Sequence, residues 1–280
     1  MFLSTRSGKG TAGSLVTGGD NVGIGGDTFR NLTTGANNVG IGPGALNSLI
    51  TGGSNVSIGE SSSRLNTAGT NTVAVGNSAL YSNTQNDTVG VGAGALELNT
   101  SGSNNTAIGR NTLTKIVTTS NNTALGYYAA RVIAGASSDS VTAIGAGALE
   151  FATAGTGNTA IGANAMGDQA TTGGYNTCVG ASAGKNITSG DSNVCLGIDS
   201  GSNLITGGQN ICIGRNTVTS GSGSAAELAI GSATYYVATN GSATGYFGTA
   251  TAGTVVLGMA LGFIKVNLNG TFVRIPVYGN

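Results

Sequence analysis

Cys178, Cys195 and Cys212 recur at intervals of 17 residues and are the only cysteines in the chain, a spacing that could stack three thiols for metal binding or redox chemistry. In a parallel stack, successive rungs lie ~4.8 Å apart, and disulfide Cα separations reach down to about 4.4 Å. Stacked side chains point the same way, however, and three thiols cannot all pair. With no histidine in the chain, a zinc site would need thiolates from several chains. The cysteines therefore read as small apolar filler, and an odd count argues against a disulfide framework.

Two further sets of residues could carry chemistry. Ser7–Thr11, "SGKGT", hints at a phosphate loop. A Walker loop, however, requires glycine where Leu3 stands and serine or threonine where Gly10 follows Lys9. The segment reads instead as an N-terminal arm. Asp20, Asp168 and Asp191 fall in turns, where bonding to the local backbone accounts for them. No catalytic, cofactor or metal site is expected, and the chain is not expected to be an enzyme.

Composition narrows the partners. The 280 residues include 51 glycines, 11 basic and 11 acidic residues, 8 tyrosines, 6 phenylalanines and no tryptophan. A 39% apolar content favours an ordered chain over a disordered one. Charges of both signs are spread along the sequence, so no basic patch is available for phosphates or anionic lipid, and neither nucleic acid nor membrane insertion is expected. Only Phe2 and Leu3 precede the first polar residues, too few for a secretory signal, and no stretch approaches the ~20 apolar residues of a membrane-spanning helix. Assembly in a cytoplasm is the expectation.

The elements that would position these residues are repeats. The glycine closing each "NVGIG" or "NTAIG" unit recurs thirteen times, from Gly25 to Gly231, at spacings of 17, 17, 17, 16, 17, 17, 19, 17, 18, 17, 17 and 17. So constant a period predicts a solenoid of stacked rungs, none able to bury its apolar face alone. One residue before this marker glycine the column is always aliphatic, from Ile24 to Ile230, and is expected to be buried. Three before it run Val22 to Val89, then Thr106, Thr123, Thr142, Thr159 and Thr177, then Val194, Ile211 and Leu228. Two columns with period two and β-branched residues predict a strand. The position between them is always small, and something large must press on that side of the strand.

The rest of each unit predicts a second, weaker strand and two turns. Leu46, Leu80, Leu96, Leu113 and Leu149 stand four after the marker, and Leu32, Leu49, Ile116, Ile133, Ile187 and Leu204 seven after it. Asparagine stands four before the marker in nine of thirteen units, where stacked amides could form a ladder. Charges gather five after it, at Arg30, Arg64, Glu97, Arg131, Glu150 and Lys185, a column that must face water.

So narrow a rung leaves much glycine and alanine at the surface of one chain, and homotrimerisation would cover it. Candidate trimer contacts are Gly23, Gly40, Ala74, Ala107, Ala124, Ala143, Ala160, Cys178, Cys195 and Cys212, where small side chains would let backbones approach. The spacing, the "NTAIG-x-x-AL" unit and the Gly-Asn turns over about residues 18–235 resemble the left-handed parallel β-roll heads of trimeric autotransporter adhesins, and resemble still more the repeats of phage tail and head fibres. That resemblance implies an all-β fold: a parallel β-solenoid of about thirteen rungs, packed or intertwined as a homotrimer.

In place of the adhesins' coiled-coil stalk and membrane barrel stands "GFIKVNLNGTFVRIPVYGN". Asn269-Gly270 between alternating apolar residues predicts a two-residue hairpin turn, setting Val266 against Val273, Ile264 against Ile275, and Lys265 against Arg274. Two like charges face to face call for an anionic partner or another chain nearby. The segment resembles C-terminal hairpins of small phage virion proteins. The expected organisation is an arm (1–17), the solenoid (18–235) and a C-terminal hairpin knob (236–280).

The function expected from the resemblance is that of a structural virion protein. It would be a homotrimeric tail fibre or capsid decoration fibre, assembled in the host cytoplasm, whose partners are itself, other virion proteins and a host surface glycan or protein. A bacterial adhesin or glycan-binding module is the alternative. The five stacked threonines suggest an ice-binding surface, but by sharing a column with Val and Ile they are expected to point inward. A polysaccharide-cleaving spike would need acids and aromatics clustered in a groove, and the sequence clusters neither.

Overall fold

The computed structural model describes residues 17–133, 139–153 and 155–231, with the backbone of four further strands, Tyr235–Thr239, Gly245–Thr249, Ala260–Leu268 and Thr271–Tyr278. Among these residues there is no helix. Each V-x-I or T-x-I unit forms a strand of three residues, the first Val22–Ile24 and the thirteenth Leu228–Ile230. The thirteen strands pair parallel, in sequence order, in one sheet. The chain is thus a parallel β-solenoid. Its register runs column on column, with Val22 opposite Val39, Gly23 opposite Gly40 and Ile24 opposite Ile41. The longer repeats keep this alignment, Thr123 facing Thr142 and Thr159 facing Thr177, so their extra residues fall in the turns.

Among the described residues the second strand expected in each rung does not form, beyond a single parallel bridge between Ala152 and Thr171. The segment after the marker alternates residues of negative and positive φ, as at Asn111 (54°) and Leu113 (51°), or Asp27 (58°) and Phe29 (53°). Such backbone cannot pleat as β-structure. It nevertheless hydrogen-bonds rung to rung, the Leu96 N–H donating to Thr112 O at 3.0 Å and the Leu98 N–H to Thr114 O at 3.1 Å. Left-handed backbone is costly for leucine, and these stacked bonds hold it there. The marker glycine turns the chain out of the strand. Gly25 has φ 133°, and a Cβ on it would stand 2.6 Å from the Gly42 carbonyl carbon, so no other residue fits.

The core lies inside the rung, between the strand and this left-handed segment. Leu46, Leu80, Leu96, Leu113 and Leu149 are fully buried, as are Leu32, Leu49, Ile116, Ile187 and Leu204. The third rung interrupts it with Ser57, Ser62, Ser63 and Asn66, all buried. There the Ser57 hydroxyl donates to Ser62 Oγ at 3.0 Å, while Ser63 Oγ and Asn66 Nδ2 find no partner. Phe29, Leu32, Leu46 and Leu49 accordingly form an apolar cluster apart from the main one.

Near the C-terminus, Tyr235–Thr239 pairs antiparallel with Gly245–Thr249. Ala260–Leu268 pairs antiparallel with Thr271–Tyr278, placing Val266 opposite Val273 and Lys265 opposite Arg274. The expected turn residues Asn269 and Gly270, and the arm but for Thr17, lie outside the described residues.

Candidate functional site

Every one of the thirteen strands buries its central residue and leaves its two flanking residues half-buried or exposed, as at Val22–Ile24, Thr106–Ile108 and Leu228–Ile230. This reverses two expectations. The aliphatic column before the marker, read as core, faces outward: Ile24, Ile58, Ile108, Leu125, Ile213 and Ile230 are among the exposed large side chains, Leu125 at 47%. The threonine run faces outward with it, Thr106, Thr142, Thr159 and Thr177 being half-buried and Thr123 exposed.

The small column, read as a contact between chains, faces the interior of its own chain. Gly23, Gly40, Ala74, Ala107, Ala124, Ala143, Ala160, Cys178, Cys195 and Cys212 are all buried there. What presses on them is the chain's own left-handed segment. A Cβ on Gly40 would come within 3.0 Å of Phe29 Cζ, and one on Gly90 within 3.0 Å of Leu80 Cγ. The sizes are reciprocal. Where the strand carries Cys178 or Cys195, the leucine position shrinks to Gly184 or Gly201, whose added Cβ would run into the cysteine sulfur. Period two announces that the faces differ, but not which is inside. Here the opposite wall fills the rung and leaves room on the strand only for the side chains of Gly, Ala, Ser and Cys.

The three cysteines are free and buried, stacked Cys178 on Cys195 on Cys212 by the sheet register. Hydrogen bonding to Cys178 and then burial push the Cys195 thiol up, and hydrogen bonding to Cys195 with burial does the same to Cys212. A thiol held protonated is neither a metal ligand nor a nucleophile. Among the described residues no group of three His, Cys, Asp or Glu could hold a metal ion.

The asparagine ladder is present, and it is interior rather than in open turns. Asn176 Oδ1 accepts the Asn193 N–H and Nδ2–H, both at 2.9 Å, and Asn193 Oδ1 accepts the same pair from Asn210 at 3.0 and 2.9 Å. Each Nδ2 also reaches a turn carbonyl, as Asn193 does to Gly207 at 2.8 Å. Thr72 enters the ladder by donating to Asn55, and Glu227 closes it by donating its N–H to Asn210. Satisfying every buried amide rung by rung is what a stack of this kind requires. In the charged column Arg30 and Arg64 are exposed while Glu97, Arg131, Glu150 and Lys185 are half-buried, and Arg131 and Glu150 of successive rungs pair at 2.9 Å.

The sheet therefore carries on its outer surface two parallel ranks of Val, Thr, Ile and Leu, half-buried or exposed among the described residues. At ~4.8 Å per rung the ranks run about 60 Å. No protein family matches the chain, and no curated protein or solved structure does either.

Proposed function

We propose that the chain is the shaft of a homotrimeric fibre, a structural protein of a virion, whose three copies meet through the outer face of the sheet. One observation carries this reading: the thirteen-stranded sheet is wholly parallel, and its outward ranks, Val22 to Leu228 and Ile24 to Ile230, are aliphatic along their whole length apart from five threonines. Parallel sheets are almost always covered on both faces. A strip about 60 Å long and about 10 Å wide, roughly 600 Å², is at the top of the range for the largest apolar patch on a monomer. Threefold packing would cover it with two copies of itself. The repeats would supply length and stiffness, and nothing in their columns supplies a reaction. Attachment then falls to the ends: the arm of residues 1–17 as anchor, the C-terminal hairpin as a knob toward the host.

The test is a charge on the outer face. Leu125→Asp together with Ile108→Asp should leave the β-sheet circular dichroism of the chain unchanged and turn a trimer into a monomer by sedimentation equilibrium. Three carboxylates buried near one axis cost several kcal/mol each, about 3–5 kcal/mol per unpaired charge. A wild-type monomer, or a trimer indifferent to both substitutions, overturns the shared face. Labelling of purified virions by an antibody to the chain tests its setting.

A further inference from the structure

Tyr175 is 69% exposed, more than any other large apolar or aromatic side chain among the described residues. It occupies the turn position five before the marker glycine, which the rungs hold at φ near 60°: 57° at Asp20, 60° at Asn37, 57° at Ser54, 58° at Tyr175. Short polar residues suit left-handed backbone, and a bulky ring there is an outlier. The preceding rung makes room for it. Its equivalent residue is Gly157, where a Cβ would lie 2.9 Å from Tyr175 Cδ1 and 3.1 Å from Cε1. One side of the ring thus rests on the rung before, and the other is open. Tyr128 differs: it stacks on Tyr127 with centroids 3.9 Å apart, and the Arg131 guanidinium lies 4.7 Å from its ring.

Around Tyr175 the turns of neighbouring rungs form a shallow, open concavity of about 540 Å³, lined by Gly155, Thr156, Thr172, Gly174, Asp191 and Ser192. The walls are held by the backbone: the Tyr175 N–H donates to Thr156 O at 2.9 Å and the Ser192 N–H to Gly174 O at 3.0 Å. Asp191 Oδ1 accepts the Gly174 N–H at 2.6 Å, which fixes the carboxylate, and its other oxygen takes no hydrogen bond among the described residues. An exposed aromatic ring with an oriented carboxylate and Thr and Ser residues lining the same concavity matches the two surfaces of a pyranose, an apolar face of C–H bonds and a rim of hydroxyl donors.

We propose that this pocket is a saccharide subsite for one or two units of a neutral polysaccharide, with the sugar's C–H face on the Tyr175 ring and adjacent hydroxyls donating to Asp191. The only charged wall is an anion, so acidic sugars are excluded. The site gives the fibre a ligand on its flank. It rests on the fibre reading only for that setting, because a single chain supplies all of it.

Saturation-transfer NMR on the full chain tests it, with methyl glycosides of glucose, galactose, mannose and N-acetylglucosamine and their disaccharides as probes. Transfer to the ring C–H protons of at least one probe is expected, weakened tenfold or more by Tyr175→Ser, retained in Tyr175→Phe and reduced by Asp191→Asn. Serine already fills this turn position at Ser54 and Ser192, so Tyr175→Ser keeps the fold. No transfer from any probe, or transfer indifferent to Tyr175→Ser, overturns the subsite. Sedimentation of the same samples separates the two readings. If Tyr175→Ser dissociates an oligomer, the ring is a contact between chains and the subsite falls. If the wild type is a monomer that binds through Tyr175, the subsite stands and the fibre falls.

Discussion

The two faces of the one sheet are built from the same three-residue strands, yet they obey opposite rules. On the inner face the largest side chains are the thiols of Cys178, Cys195 and Cys212, and every residue is buried. On the outer face isoleucine, valine and leucine stand 37% exposed or more at Val22, Ile24, Ile58, Ile108, Leu125, Ile211, Ile213 and Ile230. Side-chain size tracks the space across the sheet, not hydrophobicity. The inner face meets a wall of fully buried leucines, and interiors leave no slack for added volume, whereas among the described residues the outer face stands half-buried or exposed. A small residue therefore marks the crowded side and a large one the side with room for a partner.

The largest effect expected inside comes from the ladder. Asn193→Ala leaves the Asn210 N–H and Nδ2–H and the Gly207 carbonyl without their partner, which at about 1–3 kcal/mol per buried unsatisfied group should lower stability in urea unfolding by about 3–5 kcal/mol. Asn193→Thr should cost less, as Thr72 bonds Asn55 from the same position. Next is Ala143→Leu, which forces four-carbon bulk against the opposite wall and should cost about 3 kcal/mol. Thermal melts in the Leu125→Asp background show whether that loss belongs to the chain itself. A loss seen only in the assembled form would return the small column to the contact between chains.

Smaller effects sharpen the contrast. Cys195→Ala should cost about 1 kcal/mol, and all three thiols should resist maleimide at pH 8.5 in the native chain while reacting in denaturant, because all three are buried and the Cys195 and Cys212 thiols are also pushed up. Labelling of native Cys195 at the rate of a free thiol would place the column at a surface. Least of all, Leu125→Asp should change the stability of the isolated chain by no more than about 0.5 kcal/mol, its effect confined to assembly.

Much of this was legible in residue spacing. The constant interval between marker glycines announces the stack, its register and the columns, and the recurrence of asparagine announces the ladder. That something large presses on the small column was also legible, because a glycine, alanine, serine or cysteine in every rung needs a crowding neighbour. Its identity was not. Phe29 and Leu80 do the crowding at Gly40 and Gly90 from left-handed backbone at φ 53° and 52°, a conformation such side chains do not choose by themselves, and no local preference points to it. Tyr175 was readable only as the one aromatic in a column of short residues, and the carboxylate beside it comes from the next rung.

The sequence alone determined the one-dimensional order: thirteen units, parallel strands in chain order, and two kinds of column alternating along each strand. Those follow from periodicity, because identical units stack only in register. Only the tertiary structure decided which side of the strand is inside. That choice depends on where the rest of the rung returns across the sheet, set by residues such as Leu96 and Leu113 taking positive φ against their preference because stacked neighbours hydrogen-bond them there. The inner face follows from how the rung closes, and closure is a property of the whole stack.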